Sequence, residues 1–191
     1  MTYPNWFIEG GAIHNFSKFL PAYKDVKVDF LQLGAYTGDA SVWLFDNVLT
    51  HPESTLTDVD TWEGSEEEEH MDMDWKSVED TYDQKLRPFL DSGQLIKKKM
   101  TTKEFFKTNN KKYEFVYVDA DHHAIWALRD GLDGYSCLNN GGILAFDDYM
   151  WGASLPKMDQ PKTGIDAFLI PYANKVTVLE KGLQVWTRKI F

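Results

Sequence analysis

The sequence predicts an α/β protein: a doubly wound, mostly parallel seven-stranded sheet with a C-terminal antiparallel hairpin. Three observations predict it. Short runs rich in β-branched and aromatic residues alternate with segments whose apolar residues recur at helical spacing. The runs YEFVYVD (113–119) and GILAFDD (142–148) read as strands buried on both faces, as a parallel sheet requires. Finally, KVTVLEK and GLQVWTRK (175–189) meet at Lys181-Gly182 in the manner of a hairpin.

The elements follow in order. VDFLQLG (28–34) is a strand that stops at a glycine, and DASVWLFDNVL (39–49) is the helix after it, with Val42, Phe45 and Leu49 at helical spacing. STLTDVD (54–60) is the second strand. The stretch 62–76 is an acidic insertion with few aliphatic residues, and SVEDTYDQKLRPFLDSG (77–93) is a helix that Pro88 ends or bends. QLIKKKM (94–100) is a strand, TKEFFKTN (102–109) a short helix and 113–119 the clearest strand in the chain. The helix HAIWALRDGLDGYSCL (123–138) leads into a turn at Asn139-Asn140-Gly141-Gly142 and the strand 142–148. A Pro- and Gly-bearing lid loop covers 149–163, and GIDAFLIPYA (164–173) is a further helix. A length of 191 residues argues for one domain, 1–191, in which residues 1–27 form an N-terminal extension.

Composition excludes several classes. No run reaches the roughly 18 apolar residues of a membrane span, and the first residues lack a basic start followed by an apolar stretch. The single cysteine, Cys137, excludes an internal disulfide scaffold and suits a reducing, cytoplasmic setting. The net charge of −10 is not evenly spread: residues 58–83 hold 12 of the 30 acids and one base, Lys76, so the remainder is close to neutral. No basic face is available for a phosphate backbone, which argues against a nucleic-acid partner. The run Glu66–Glu69 with Asp72 and Asp74 reads first as a solvated loop, although Met71, Met73 and Trp75 would also let it close over a substrate or dock on a second subunit. A homo-oligomer is therefore left open.

In a doubly wound sheet, ligands bind beyond the carboxyl ends of the strands, and the unusual chemistry of this sequence falls there. In LQLGAYTGDAS (31–41), Gly34 and Gly38 allow a tight turn and a close backbone approach at the start of a helix. The spacing is neither the dinucleotide fingerprint nor a P-loop, and on its own it is also compatible with a turn that holds no ligand. Asp60 ends the second strand about 25 residues further on, where an acid accepts the hydroxyls of a ribose; Asp58 is the alternative, and Trp62 either stacks on a ring or packs. VYVDADHH (116–123) and AFDDYMW (145–151) would deliver Asp119, Asp147 and Asp148 to one rim. Crowded carboxylates repel unless a proton or cation intervenes, and hard oxygen ligands suit Mg²⁺ or Ca²⁺ better than zinc. His122, three residues past Asp119, is placed to act as a general base; the bland alternative for His122 and His123 is a solvated pair.

The succession LQLGAYTG, TDVDTWEG, FVYVDADHH and NNGGILAFDDY resembles the class I S-adenosylmethionine-dependent methyltransferases. Within them it is most similar to the metal-dependent O-methyltransferase branch that includes macrolide-sugar methyltransferases and cephalosporin-hydroxylase-like proteins, over about residues 28–190. The resemblance implies that Gly34, Ala35, Tyr36, Thr37 and Gly38 hold the methionine part of S-adenosylmethionine. It implies that Asp60, with Thr61 and Trp62, takes the ribose, that Met100 and Thr101 edge the adenine, and that Asp119 also lines the cofactor. It further implies that Asp119, Asp147 and Asp148 bind Mg²⁺ or another hard divalent ion, and that His122 deprotonates the acceptor. Two positions depart from the family pattern: Gln32 stands where many members have an acid, and Ala120 where a glycine is common.

The function this implies is methyl transfer to a hydroxyl of a small acceptor, a sugar or sugar-bearing metabolite, with aromatic vicinal diols suiting the same aspartates. A methyl sulfonium is already activated, so catalysis needs alignment and a deprotonated nucleophile. The rival is a non-catalytic binding or interaction protein on the same fold, toward which Gln32 leans. A nicotinamide-linked dehydrogenase fails on the glycine spacing.

Overall fold

The computed structural model describes residues 3–65 and 70–190; the acidic run Glu66–Glu69 lies outside them. Among the described residues the α-helices are α1 (Trp6–Glu9), α2 (Ala12–Phe19), α3 (Asp39–Asn47), α4 (Trp75–Ser92), α5 (Thr102–Thr108), α6 (Ala124–Cys137) and α7 (Pro161–Tyr172). The strands are β1 (Asp29–Leu33), β2 (Thr55–Asp60), β3 (Leu95–Lys99), β4 (Tyr113–Val118), β5 (Leu138–Phe146), β6 (Val176–Lys181) and β7 (Val185–Lys189). They form a seven-stranded sheet in the order β3-β2-β1-β4-β5-β7-β6. Pairing is parallel for β2 with β3, β1 with β4 and β4 with β5, and antiparallel for β7 with β5 and with β6. This is a doubly wound, mostly parallel sheet, with the hairpin closing it around Gly182, whose N–H donates to the Gln184 carbonyl.

The chain divides into two compact units, residues 1–28 with 35–101 and residues 29–34 with 102–191. In the first, α4 buries Val78, Tyr82 and Leu86, one residue per turn on a single face, and Phe45 of α3 stacks on Phe89 at 4.0 Å. The N-terminal extension is helical: Phe7 of α1 and Phe16 of α2 meet edge to face at 4.9 Å, and Phe16 is wholly buried. In the second unit, Phe115 of β4 lies 5.1 Å from Phe30 of β1 and 5.4 Å from Trp186 of β7. Helices α6 and α7 touch closely because residue 164 is glycine: a Cβ there would fall 2.0 Å from the Ala124 carbonyl oxygen.

Three expectations are corrected. Of the two outcomes expected for Pro88, an end to the helix is not met: α4 runs on to Ser92. Pro88 and Gln84, the residue one turn back whose carbonyl loses its partner, are both exposed. Asn139–Gly142 is not a turn before a strand but part of β5, whose pairing with β4 shifts register between Tyr113 and Phe115. Gly141, at φ +78°, absorbs the extra residues as a bulge, and Asn139 Nδ2 donates to Glu114 Oε1 at 2.6 Å. The last helix starts at Pro161 rather than 164, with Pro in the first turn, where its missing N–H costs nothing. Among the described residues no helix is long and apolar enough to cross a membrane.

Candidate active site

The glycine turn after β1 is built as its residues dictate. Gly34 has φ +83°, and a Cβ on it would lie 1.7 Å from the Asp119 carbonyl oxygen. Gly38 has φ +80°, and a Cβ there would run into Leu86 and Tyr82 at 2.6 and 2.9 Å. Neither position tolerates a side chain. Gln32 is buried, and its Nε2 donates to the Gly34 carbonyl at 2.9 Å, so it braces the turn from within β1. Thr37 is buried, and its hydroxyl donates to Asp39 Oδ2 at 2.7 Å at the start of α3.

Asp60, at the end of β2, faces this turn. Its Oδ2 accepts the N–H groups of Ala35 and Tyr36 at 2.7 and 3.0 Å, while Oδ1 accepts that of Trp62 at 2.7 Å. Trp62 is buried and returns the contact, donating Nε1–H to the Tyr36 carbonyl at 2.9 Å. Its ring packs on Tyr82 at 4.8 Å and lies under the Lys97 ammonium at 4.5 Å, so it is a packing residue in this arrangement. Thr61 accepts the Glu63 N–H at 3.2 Å. Met100 donates its N–H to the Asp60 carbonyl at 3.0 Å, and Thr101 beside it is exposed.

Asp58 is not at the site. It lies two residues inside β2, fully buried, and its Oδ2 accepts the hydroxyls of Ser41 and Tyr82 at 2.6 and 2.8 Å. Burial pushes its carboxyl up to about 7, partly offset by those two donors.

The second group of residues lies at the ends of β4 and β5. Asp119 and Asp147 each continue their strands, their N–H groups donating to Leu33 and Val118 carbonyls at 2.9 Å. Asp119, His122 and Asp148 bring one ligand atom each within 4.8 Å of one another. His122 Nε2 lies 2.9 Å from Asp148 Oδ2, and Trp151 packs on the imidazole at 4.5 Å. Burial, then the charges of Asp147 and Asp148, hold the Asp119 carboxyl well above its ordinary range. A cleft of about 10 Å³ beside these residues is lined also by Ala120, Asp121 and Pro161.

Asp147 lines the same cleft but has hydrogen-bond partners of its own. One of its oxygens accepts the Tyr117 hydroxyl and the other the Asp148 N–H at 2.8 Å, while Gln184 Nε2 donates to Tyr117 Oη at 3.2 Å. Burial raises the Asp147 carboxyl to about 6. His123 turns away and pairs with Asp121 at 2.7 Å. Tyr117 and Gln184 are the residues that sequence reasoning missed. Tyr117 was within reach of it, two residues before Asp119 on one strand and so on the same face; Gln184 in the hairpin gave no signal.

Left-handed backbone concentrates in these two groups. Of the four non-glycine residues with positive φ among the described residues, three are Tyr36 (+49°), Trp62 (+49°) and Asp148 (+56°). Conformations of this kind persist where the surroundings impose them, and they cluster at functional sites.

A strand, a glycine turn onto a helix and an acid on that turn form the arrangement with which nucleoside-cofactor-binding α/β proteins hold their ligand. A family model described as a methyltransferase domain matches residues 31–149, and the chain belongs to that family. The fold is that of class I S-adenosylmethionine-dependent methyltransferases. Similar solved structures include the O-methyltransferase TomG from Streptomyces achromogenes, involved in tomaymycin synthesis and solved with S-adenosylmethionine (TM-score 0.64, 14% identity, 96% of this chain and 80% of that one). A putative rRNA methylase from Clostridium thermocellum gives a TM-score of 0.70 at 13% identity, covering 100% and 99%. An O-methyltransferase from Bacillus cereus, solved with S-adenosylhomocysteine, gives 0.61 at 12%, covering 99% and 92%. No curated protein matches the chain.

Proposed function

We propose that residues 1–191 act as a single cytoplasmic domain transferring the methyl group of S-adenosylmethionine to a hydroxyl of a small acceptor, assisted by a divalent ion. Membership of the methyltransferase-domain family carries the cofactor, and the Asp60 carboxylate seated on the Ala35 and Tyr36 amides supports it. In this reading Gly34–Gly38 bind the methionine end, Asp60 with Thr61 orients the ribose while the packed Trp62 braces the turn through the Tyr36 carbonyl, and Met100 and Thr101 edge the adenine. Asp119, His122 and Asp148 would hold the ion. Two carboxylates offer the hard oxygens that Mg²⁺ or Mn²⁺ takes, and the imidazole nitrogen favours Mn²⁺ of the two. Such an ion lowers the pKa of a bound hydroxyl and fixes its direction. Asp147, engaged by Tyr117 and by the Asp148 amide, serves this group from behind as a further negative charge. The acceptor is proposed to be a sugar or sugar-bearing metabolite with adjacent hydroxyls.

A second role for His122 has its own observation. Nε2 faces Asp148 at 2.9 Å, and a carboxylate so placed stabilises an imidazolium, which suits a proton acceptor. Loss of Mn²⁺ binding in His122→Ala supports the ligand role; intact metal binding with lost turnover supports the base.

The test is calorimetric titration of S-adenosylhomocysteine, with Mg²⁺ and with EDTA, followed by a methyl-transfer screen of sugars, vicinal diols and rRNA transcripts. Micromolar binding and transfer to a small hydroxylated acceptor support the proposal. Absence of binding in both conditions removes the methyltransferase reading in favour of a non-catalytic binding protein, and transfer to RNA alone overturns the acceptor.

A further inference from the structure

Tyr36 sits at the centre of the glycine turn with a left-handed backbone that an aromatic residue does not adopt unaided. Its surroundings impose it. The Tyr36 N–H is held by Asp60 Oδ2 at 3.0 Å and its carbonyl by Trp62 Nε1 at 2.9 Å. Its ring is stacked face to face on Trp6 of α1, with centroids 4.4 Å apart and planes inclined by 22°. Tyr3 and Trp75 meet the same ring edge-on at 6.2 Å, and the Tyr36 hydroxyl donates to Met73 Sδ at 3.8 Å.

The Trp6 side of this arrangement is itself fixed. Helix α1 is only one turn long, but Asn5 accepts the Ile8 N–H at 3.1 Å and Glu9 Oε1 accepts the Asn5 N–H at 3.2 Å, a reciprocal cap. Trp6 also packs on His70 at 5.6 Å, and the His70 carbonyl accepts Trp75 Nε1–H at 3.1 Å. Phe7, the next residue, points the other way, onto Phe16 and Trp43. One short helix therefore anchors into the core with Phe7 and presses on the turn with Trp6. Trp6 lies outside residues 31–149, so the family match does not account for it.

We propose that Trp6 is a positioning residue for the cofactor turn: by stacking on Tyr36 it keeps the Ala35 and Tyr36 amides on Asp60 and the turn in its binding-competent shape. The inference rests on the cofactor reading above for its consequence, but not for the contact itself. Free of Trp6, Tyr36 would relax toward negative φ, the two amides would leave Asp60, and a cofactor would have to reorder the turn on binding.

Two readouts test it. Amide hydrogen exchange over residues 35 and 36 reports the turn directly, and S-adenosylhomocysteine titration reports its use. Trp6→Ala is expected to speed exchange at both amides and to weaken S-adenosylhomocysteine about tenfold, whereas Trp6→Phe, which restores a ring, keeps both near wild type. Phe7→Ala, which loosens the same helix from its other side, should leave affinity within about twofold while Trp6 is intact. Equal losses in Trp6→Ala and Phe7→Ala would make this a general effect of the extension and overturn the proposal. Unchanged exchange, unchanged affinity or tighter binding in Trp6→Ala would each overturn it too, the last by making Trp6 an obstruction. A wild-type protein that binds no S-adenosylhomocysteine removes the cofactor reading; faster exchange in Trp6→Ala would then still establish the hold on the turn.

Discussion

Gly34 and Asp119 are in direct backbone contact: a Cβ on Gly34 would stand 1.7 Å from the Asp119 carbonyl oxygen. The end of β1 and the end of β4 thus close on each other at a residue that carries no side chain, and φ at Gly34 is +83°. Gly34→Ala combines a backbone clash with a left-handed alanine. It should cost more than about 3 kcal/mol and prevent normal folding, read as loss of a cooperative urea transition.

Asp60 satisfies three backbone amides, those of Ala35, Tyr36 and Trp62. Asp60→Ala leaves all three without that acceptor, and Asp60→Asn keeps one oxygen for the two amides of the turn. S-adenosylhomocysteine affinity should fall more than about tenfold in the alanine variant and by less in the asparagine variant. Equal affinity in all three proteins would remove Asp60 from the cofactor site.

The group at the ends of β4 and β5 predicts a pattern in metal binding that requires no acceptor. Mn²⁺ titrated by calorimetry should lose at least about tenfold in affinity in Asp119→Ala and in Asp148→Ala. Asp147→Asn should change it far less, because the oxygens of Asp147 are engaged by Tyr117 and the Asp148 amide. Asp147→Asn matching Asp119→Ala would return Asp147 to the ligand set.

Asp58 gives a pH-dependence of stability. Burial raises its carboxyl from 3.8 to about 7 in the folded protein, whereas the unfolded chain keeps the ordinary value. Between those values the folded state holds the extra proton. The contribution is therefore fully present below about pH 4 and is lost as pH rises to about 7. Asp58→Asn can still accept the Ser41 and Tyr82 hydroxyls but never ionises. Its melting temperature should exceed the wild type's at pH 8 and approach it at pH 5; parallel profiles would show that Asp58 does not titrate with folding.

The sequence by itself determined the order and nature of most elements from residue 28 onward, because periodicity and turn chemistry are local; helices α1 and α2 of the N-terminal extension went unread. DFLQL, TLTDVD and YEFVYV carry the apolar, β-branched and aromatic pattern of buried strands, and the glycines at 34 and 38 mark the turn with positive φ. It also brought out Asp60, Asp119, His122 and Asp148, since strand ends in such a sheet are where ligands bind. What it could not decide were the partners of those side chains. That Pro88 rides inside a helix and Gly141 inside a strand depends on which face of each meets water or a neighbour. That Asp58 is buried on Ser41 and Tyr82, that Asp147 is taken by Tyr117, and that Trp6 stacks on a residue 30 positions away are contacts between segments distant in the chain. Only packing creates such pairs, and they are set by the geometry of the folded layers rather than by any local preference of the residues involved.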